Sequence, residues 1–195
     1  MKKKAIERRE QILKAAFQAV ADKGFEAVTL QDIADYAGVS KGVTNYYFHN
    51  KEDVFSSLLK WVTNQIYKNE CYAINKQTTS AKKLEAYICS VFISPEKNRK
   101  FYKVYLDFIA QASRNEHYQQ INLQFYENCW GLARDIISHG QDEGVFTREL
   151  DIDQASKMIR SIIDGALIQW LMCNEEELHD FYRNSCINTI LKLLK

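Results

Sequence analysis

Apolar residues recur every three or four positions along almost the whole chain, a pattern that predicts helices throughout. Leu13, Ala16, Phe17 and Val20 mark a first helix over residues 5–23, which Gly24 ends. Leu30, Ile33, Ala34 and Ala37 form one stripe of a second, short helix. Thr29 stands at its N-cap with Asp32 three residues on, as in a capping box, and Gly38 follows where a helix end tolerates a positive φ. Val39 is placed to plug the corner, and Ser40 caps a third helix running from Lys41 to about Tyr47. Phe48 behind it is the expected core anchor. Asn50, with Asp53 at N3, opens a long fourth helix to about Ile74, carrying Val54, Phe55, Leu58, Leu59, Val62 and Ile66.

After the polar break NKQTTS, a fifth helix runs from about Ser80 to Ile93. Ser94 and Pro95 stop it, and the proline starts a sixth that carries Phe101, Val104, Tyr105, Phe108, Ile109 and Ala112. A seventh spans about Glu116 to Asp142. Asp151 or Asp153 caps an eighth with a broad apolar face, and Asn174 with Glu177 opens a ninth. One proline and seven glycines fit helices with short connections.

Two short helices joined by a tight, glycine-containing turn make a helix-turn-helix. The second of them, KGVTNYY, is small, polar and hydroxyl-rich where a core helix would carry Leu and Ile. A helix that enters a major groove needs that mixture: short residues for close approach, hydrogen-bonding groups for base edges, hydroxyls and cations for phosphates. The competing reading is a helical hairpin packed inside a larger bundle. Net charge is only +1, so no global basic field marks a nucleic-acid binder. Lys2, Lys3, Lys4, Arg8, Arg9 and Lys14 nevertheless crowd the start, as an arm along phosphates or as a frayed solubilising terminus.

Five scattered cysteines without CxxC spacing read as reduced thiols, and four isolated histidines offer no metal-ligand spacing. No cofactor or metal is expected. No apolar run reaches 18 residues and no signal peptide is evident, so the reading is a cytoplasmic protein. HExxH, GxSxG and the P-loop are missing, which argues against an enzyme. The last two helices are strongly apolar with nothing after them to cover them, and Gly165 lies within the first of the pair. Ile159, Ile162, Gly165, Ala166, Trp170, Ile187, Ile190 and Leu191 are therefore the expected homodimer surface, a four-helix bundle with the same pair from a second chain. Two-fold symmetry also suits a reader whose single short helix spans too few base pairs to be selective. Two copies about 34 Å apart would read two half-sites of a palindrome.

From Phe25 to Leu59 the chain resembles the DNA-binding domain of the TetR family of bacterial transcriptional regulators. The resemblance rests on Gly24-Phe25, Thr29, Ile33-Ala34, Ala37-Gly38-Val39-Ser40, Gly42, Tyr47-Phe48 and Lys51-Glu52. Asn45 departs from it, standing where many members carry a tyrosine. GVF followed by IIDGAL is similar to the far end of many members, while residues 65–135 match only as a helix pattern. The resemblance implies an all-α protein of about nine helices. Residues 1–49 would form a three-helix helix-turn-helix DNA-binding domain, and 50–195 a helical effector-binding and dimerisation domain.

It also implies a division of labour on double-stranded DNA. Lys41, Gly42, Val43, Asn45 and Gln31 would face base edges, and Thr29, Ser40, Tyr46, Tyr47 and Lys51 would hold phosphates. In the family, helices four to seven enclose a small effector. Trp61, Phe92, Tyr105, Phe108, Phe125, Tyr126 and Trp130 are the aromatic candidates, which favours an apolar or aromatic effector whose binding releases a repressor from its operator. The alternatives are a regulator controlled by cysteine oxidation or a protein partner, and more remotely a helical ligand-binding protein or an enzyme.

Overall fold

The computed structural model describes residues 2–173 and 175–195, and these form nine helices. They are α1 (Lys2–Lys23), α2 (Leu30–Ala37), α3 (Lys41–Tyr47), α4 (Lys51–Asn75), α5 (Ser80–Val91), α6 (Pro95–Ala112), α7 (Glu116–Asp142), α8 (Ile152–Cys173) and α9 (Leu178–Leu193). Packing groups them into two compact units. One holds the chain up to Asn64 with Lys100–Leu123, the other Gln65–Arg99 with Gln124–Lys195. α4, α6 and α7 each contribute to both.

The first unit is built largely on the apolar stripes read above, with Ile12 and Ala19 added on α1 and Phe17 only half-buried. Ile12, Ala16, Ala19, Ile33, Ala34, Val54, Leu58 and Leu59 are wholly buried, and Phe48 and Phe55 nearly so. Phe25 leaves the α1–α2 connection to join an aromatic cluster, its ring centroid 4.6 Å from Phe55 and 5.3 Å from Phe108 of α6. Asp107 of α6 accepts a hydrogen bond from the Phe25 backbone N–H at 3.1 Å. Gln111 donates to Glu26 at 2.9 Å, and Asn115 donates to Glu52 at 2.9 Å.

The second unit contains α5, α8 and α9 with the remaining parts of α4, α6 and α7. Leu84, Tyr87, Ile88, Ala133, Ile137, Ile163, Leu167, Trp170 and Ile190 are wholly buried there. Gly140 on α7 is needed for close approach, since a Cβ would lie 2.0 Å from the Phe146 ring. Charge is buried in this core as well. Glu70 of α4 is 0% exposed and Arg160 of α8 is 2% exposed. Arg160 Nη1 lies 3.0 Å from Glu70 Oε1, and Nη2 lies 3.1 Å from Asp164 Oδ1. The Cys129 thiol of α7 donates to Glu70 Oε2 at 3.5 Å, and the guanidinium sits 4.9 Å from the Phe125 ring centre. Burial raises the Glu70 pKa against the opposing pull of Arg160. Burial also works against the Arg160 charge, but Asp164, Cys129, Tyr87 and Glu70 hold its pKa well above the ordinary arginine value.

Helix ends follow local chemistry. α1 starts at Lys2, ahead of the expected residue 5, and α5 stops at Val91 rather than Ile93. Phe92, at φ −84° and ψ 71°, leaves the helical region in a tight turn in which Ile93 N donates to the Val91 carbonyl at 3.1 Å, and Asn98 Nδ2 donates to the same carbonyl at 2.9 Å. Asp151, not Asp153, caps α8 by accepting the Gln154 N–H at 2.9 Å. Asn174 lies outside the described residues, and Glu177, at a helical φ of −61°, makes no side-chain cap bond to α9.

The surface read for α8 and α9 needs correction. Ile159, Trp170 and Ile190 are 0% exposed within the single chain, so they face its core and cannot meet a second one. Ile162, Gly165, Ala166, Ile187 and Leu191 are half-buried. The outward apolar residues are Met158, Ile168, Met172, Phe181 and Leu193. Nothing among the described residues lies within 4 Å of a Cβ built on Gly165, so no described helix of this chain approaches it closely.

Two outcomes follow from the buried polar groups. Glu70→Ala leaves the guanidinium under-paired in the core and should cost about 3–5 kcal/mol in urea unfolding, whereas E70L/R160M/D164N should cost much less. His179 of α9 is 2% exposed, with Nε2 3.0 Å from Asn98 Oδ1. Because Asn98 uses its amide nitrogen on Val91, its oxygen is the acceptor and His179 Nε2 carries the proton. Burial lowers the His179 pKa from its ordinary 6.5. Above that pH both folded and unfolded chains hold it neutral, while below it the unfolded chain takes up a proton first. The unfolding midpoint should therefore fall as pH drops below 6.5, and less steeply in His179→Gln.

Candidate nucleic-acid interface

α3 has seven residues and one inward side: Thr44 is wholly buried, and Phe48 just beyond the helix is 1% exposed. Lys41, Gly42, Asn45 and Tyr46 are exposed, Tyr46 at 83%, while Val43 and Tyr47 are half-buried. Four of the five residues expected at base edges thus share one short helix, three of them fully on its open side. Gln31, the fifth, is exposed on α2 and donates to Asp35 at 2.8 Å.

The turn that aims α3 is fixed by backbone pairing. Gly38 adopts φ 63°, which a side chain would strain. Val39 N donates to Ala34 O at 3.0 Å and Gly38 N to Asp35 O at 3.1 Å, closing α2. Gln11 of α1 donates to the Ala37 carbonyl at 2.7 Å. Ser40 Oγ accepts the Val43 N–H at 3.4 Å and caps α3.

The capping box at α2 is complete. Thr29 Oγ1 accepts from Asp32 N at 3.1 Å, and Asp32 Oδ2 accepts from Thr29 N at 2.8 Å. The Lys23 ammonium, then Thr29, hold the Asp32 carboxyl far below its ordinary pKa. The Thr29 hydroxyl, assigned above to a phosphate, is thereby engaged in the cap. Lys51, in the first turn of α4, donates to the Glu26 carbonyl at 3.0 Å and lies 5.1 Å from the Phe55 ring centre. It is half-buried, with two further N–H donors on the ammonium.

The basic start divides. Lys3, Lys4 and Arg8 are exposed on α1, and Lys14 pairs with Glu10 at 2.9 Å. Arg9 stays exposed but lies over the Phe48 ring and donates to the Tyr47 carbonyl and to Ser57, a role that the run of cations gave no reason to assign.

The aromatic effector candidates fall in both units. In the first, Tyr105 and Phe108 are buried and Trp61 is half-buried. In the second, Phe92 and Phe125 are buried, while Tyr126 and Trp130 are half-buried and stacked at 5.8 Å and 16°.

Residues 12–58 match the family described as bacterial regulatory proteins, tetR family. Residues 80–194 match a BetI-type transcriptional repressor, C-terminal. The chain belongs to the TetR family. It is a DNA-binding transcriptional regulator of the repressor type, not an enzyme. It is 28% identical over 184 residues to a fatty acid metabolism regulator protein from Bacillus subtilis, covering 94% of this chain and 92% of that one. Among solved structures, a FadR regulator from Bacillus subtilis in complex with stearoyl-CoA superposes with TM-score 0.82 at 26% identity, covering 95% and 99% of the two chains. A TetR regulator from Haloarcula marismortui gives TM-score 0.86 at 24% identity over 96% and 98%, which shows the shared fold. No described helix is long and apolar enough to cross a membrane.

Thr29→Ala removes the hydroxyl that caps α2. Stability to urea should fall by about 1 kcal/mol, and Thr29→Ser should restore most of it.

Proposed function

We propose that this protein is a homodimeric repressor that reads a palindromic operator through α3 and releases it on binding an acyl-coenzyme A thioester. The observation that carries the first part is the exposed set Lys41, Gly42, Asn45 and Tyr46 on a helix braced from behind by Thr44 and Phe48. Lys41 suits guanine O6 and N7, Val43 a thymine methyl, and Asn45 adenine N6 and N7. Ser40, Tyr46, Tyr47 and Lys51 supply hydroxyls and a cation for phosphates, and Thr29 a hydroxyl already engaged in its cap. Gln31 adds a base contact from α2. In this division residues 1–49 read DNA, and residues 50–195 bind effector and dimerise. A regulator of genomic DNA works in the cytoplasm.

The dimer would form on the outward face of α8 and α9. Met158 is 53% exposed, Met172 69% and Phe181 60%, too much apolar surface to leave in water, and the open side of Gly165 admits a close helix. The effector class draws on the fatty acid metabolism regulator and on the stearoyl-CoA complex of a relative. Tyr126 and Trp130 are the candidates in the second unit with surface left to meet a ligand. Control by oxidation of Cys89, Cys129 or Cys186, three of the five cysteines, has little support. Burial holds the Cys129 and Cys89 thiols up, and that of Cys186 up to about 11, far from a reactive thiolate.

The test is titration of the protein–operator complex with stearoyl-CoA, with free coenzyme A and choline as controls. Release by the thioester at micromolar concentration, with the controls inert, is the expected result. Release by choline alone, or by none of the three, would contradict the acyl-CoA reading.

A further inference from the structure

Arg9 belongs by position to the run of cations at the start of α1, but its side chain does not join them. Nη1 donates to the Tyr47 carbonyl at 3.3 Å, at the last residue of α3. Nη2 donates to Ser57 Oγ at 2.8 Å, on the second turn of α4. The guanidinium carbon stands 4.4 Å from the centre of the Phe48 ring, which is itself 1% exposed. One planar group thus touches three elements at once: it leaves α1, stacks on the core anchor behind the reading helix, and bonds to both α3 and α4.

We propose that Arg9 is a positioning residue that fixes the reading helix against α1 and α4, and that it is not a phosphate contact. The inference rests on α3 being the helix that reads bases. A seven-residue helix is too short to hold its own shape or place, so its pose comes from its attachments. Its start is held by the Ser40 cap and the Gly38 turn. At its end the last carbonyls have no helical partner, and Arg9 supplies a cationic donor to one of them. The forked guanidinium suits this because its donors point in fixed, divergent directions and its face stacks on an aromatic ring, which an ammonium cannot reproduce.

The consequence separates two kinds of DNA contact. Phosphate contacts are made from several elements and tolerate a small displacement. Base contacts depend on aligned donor and acceptor pairs on α3. Loosening the end of α3 should therefore lower affinity for the preferred sequence and leave binding to random sequence nearly unchanged.

Ser57 makes the test clean, because it is neutral and is altered without touching the charge of Arg9. The full-length protein and its Ser57→Ala, Ser57→Thr, Arg9→Lys and Arg9→Met forms would be assayed on two duplexes of equal length. One is the sequence that the wild-type protein selects from random DNA, the other is scrambled, and salt is varied on both. Thermal unfolding of each form is recorded alongside. Arg9→Met should lose about tenfold of the selected-to-scrambled ratio, the size of one lost base contact, with an unchanged salt slope on scrambled DNA. Ser57→Ala should lose part of that ratio, Ser57→Thr should recover it, and Arg9→Lys should not.

If Arg9 held a phosphate, Arg9→Met would lower the salt slope by about one on both duplexes while Ser57→Ala behaved as wild type, and that would overturn the proposal. Equal losses on both duplexes with a lowered unfolding midpoint would overturn it too, as a purely structural role. A wild-type protein without sequence preference would overturn the reading of α3 itself.

Discussion

A helix of two turns such as α3, the proposed reader of bases, cannot stabilise itself, and much of the first unit is an answer to that constraint. Its hydrogen-bonding side chains must point outward, so only Thr44 and the following Phe48 remain to anchor it. The neighbouring elements make up the difference. α2 presents Ile33, Ala34 and Ala37 inward, and the Schellman pairing at Gly38 and Val39 sets the angle at which α3 departs. α1 supplies Gln11 to the end of α2 and Arg9 to the end of α3. α4 begins three residues after α3, with Asn50 accepting the Asp53 N–H at 2.9 Å, so little freedom is left between them. The polar face of α3 takes no part in its placement, which the apolar side and the two ends carry.

The second unit poses a different problem. Its core buries the Glu70 carboxyl and the Arg160 guanidinium, where apolar residues of similar volume would pack at lower cost. Glu70 comes from α4, Cys129 from α7, and Arg160 with Asp164 from α8, so the cluster binds three helices by directional bonds rather than by packing alone. α4 also opens with the residues beside α3, at Lys51.

What the sequence made legible was what local periodicity and capping decide. Thr29, Gly38, Ser40 and Asn50 announced their ends because each cap is a property of a few adjacent residues. The stripe of α2 and the unusual polarity of α3 were visible for the same reason. What stayed hidden depends on long-range partners. Arg9 meets Ser57 at a separation of 48 residues, and Arg160 meets Glu70 at 90, and no window of sequence carries such pairs. The outer face of α8 was misjudged at Ile159 and Trp170, and that of α9 at Ile190, because a broadly apolar helix does not reveal which of its sides meets its own chain. The grouping of Lys100–Leu123 with α1, α2 and α3 was invisible too, since it comes from contacts of α6 with Phe25 and Glu26.

The proposed function requires two copies of α3 acting together. The most direct measurement is selection of bound sequences from random duplex DNA by the full-length protein. A palindrome whose half-sites lie about one helical turn, or a multiple of it, apart is the predicted result, with each half matching the donors of Lys41 and Asn45. Weak binding with no sequence preference, or a single half-site without its symmetric mate, would contradict it.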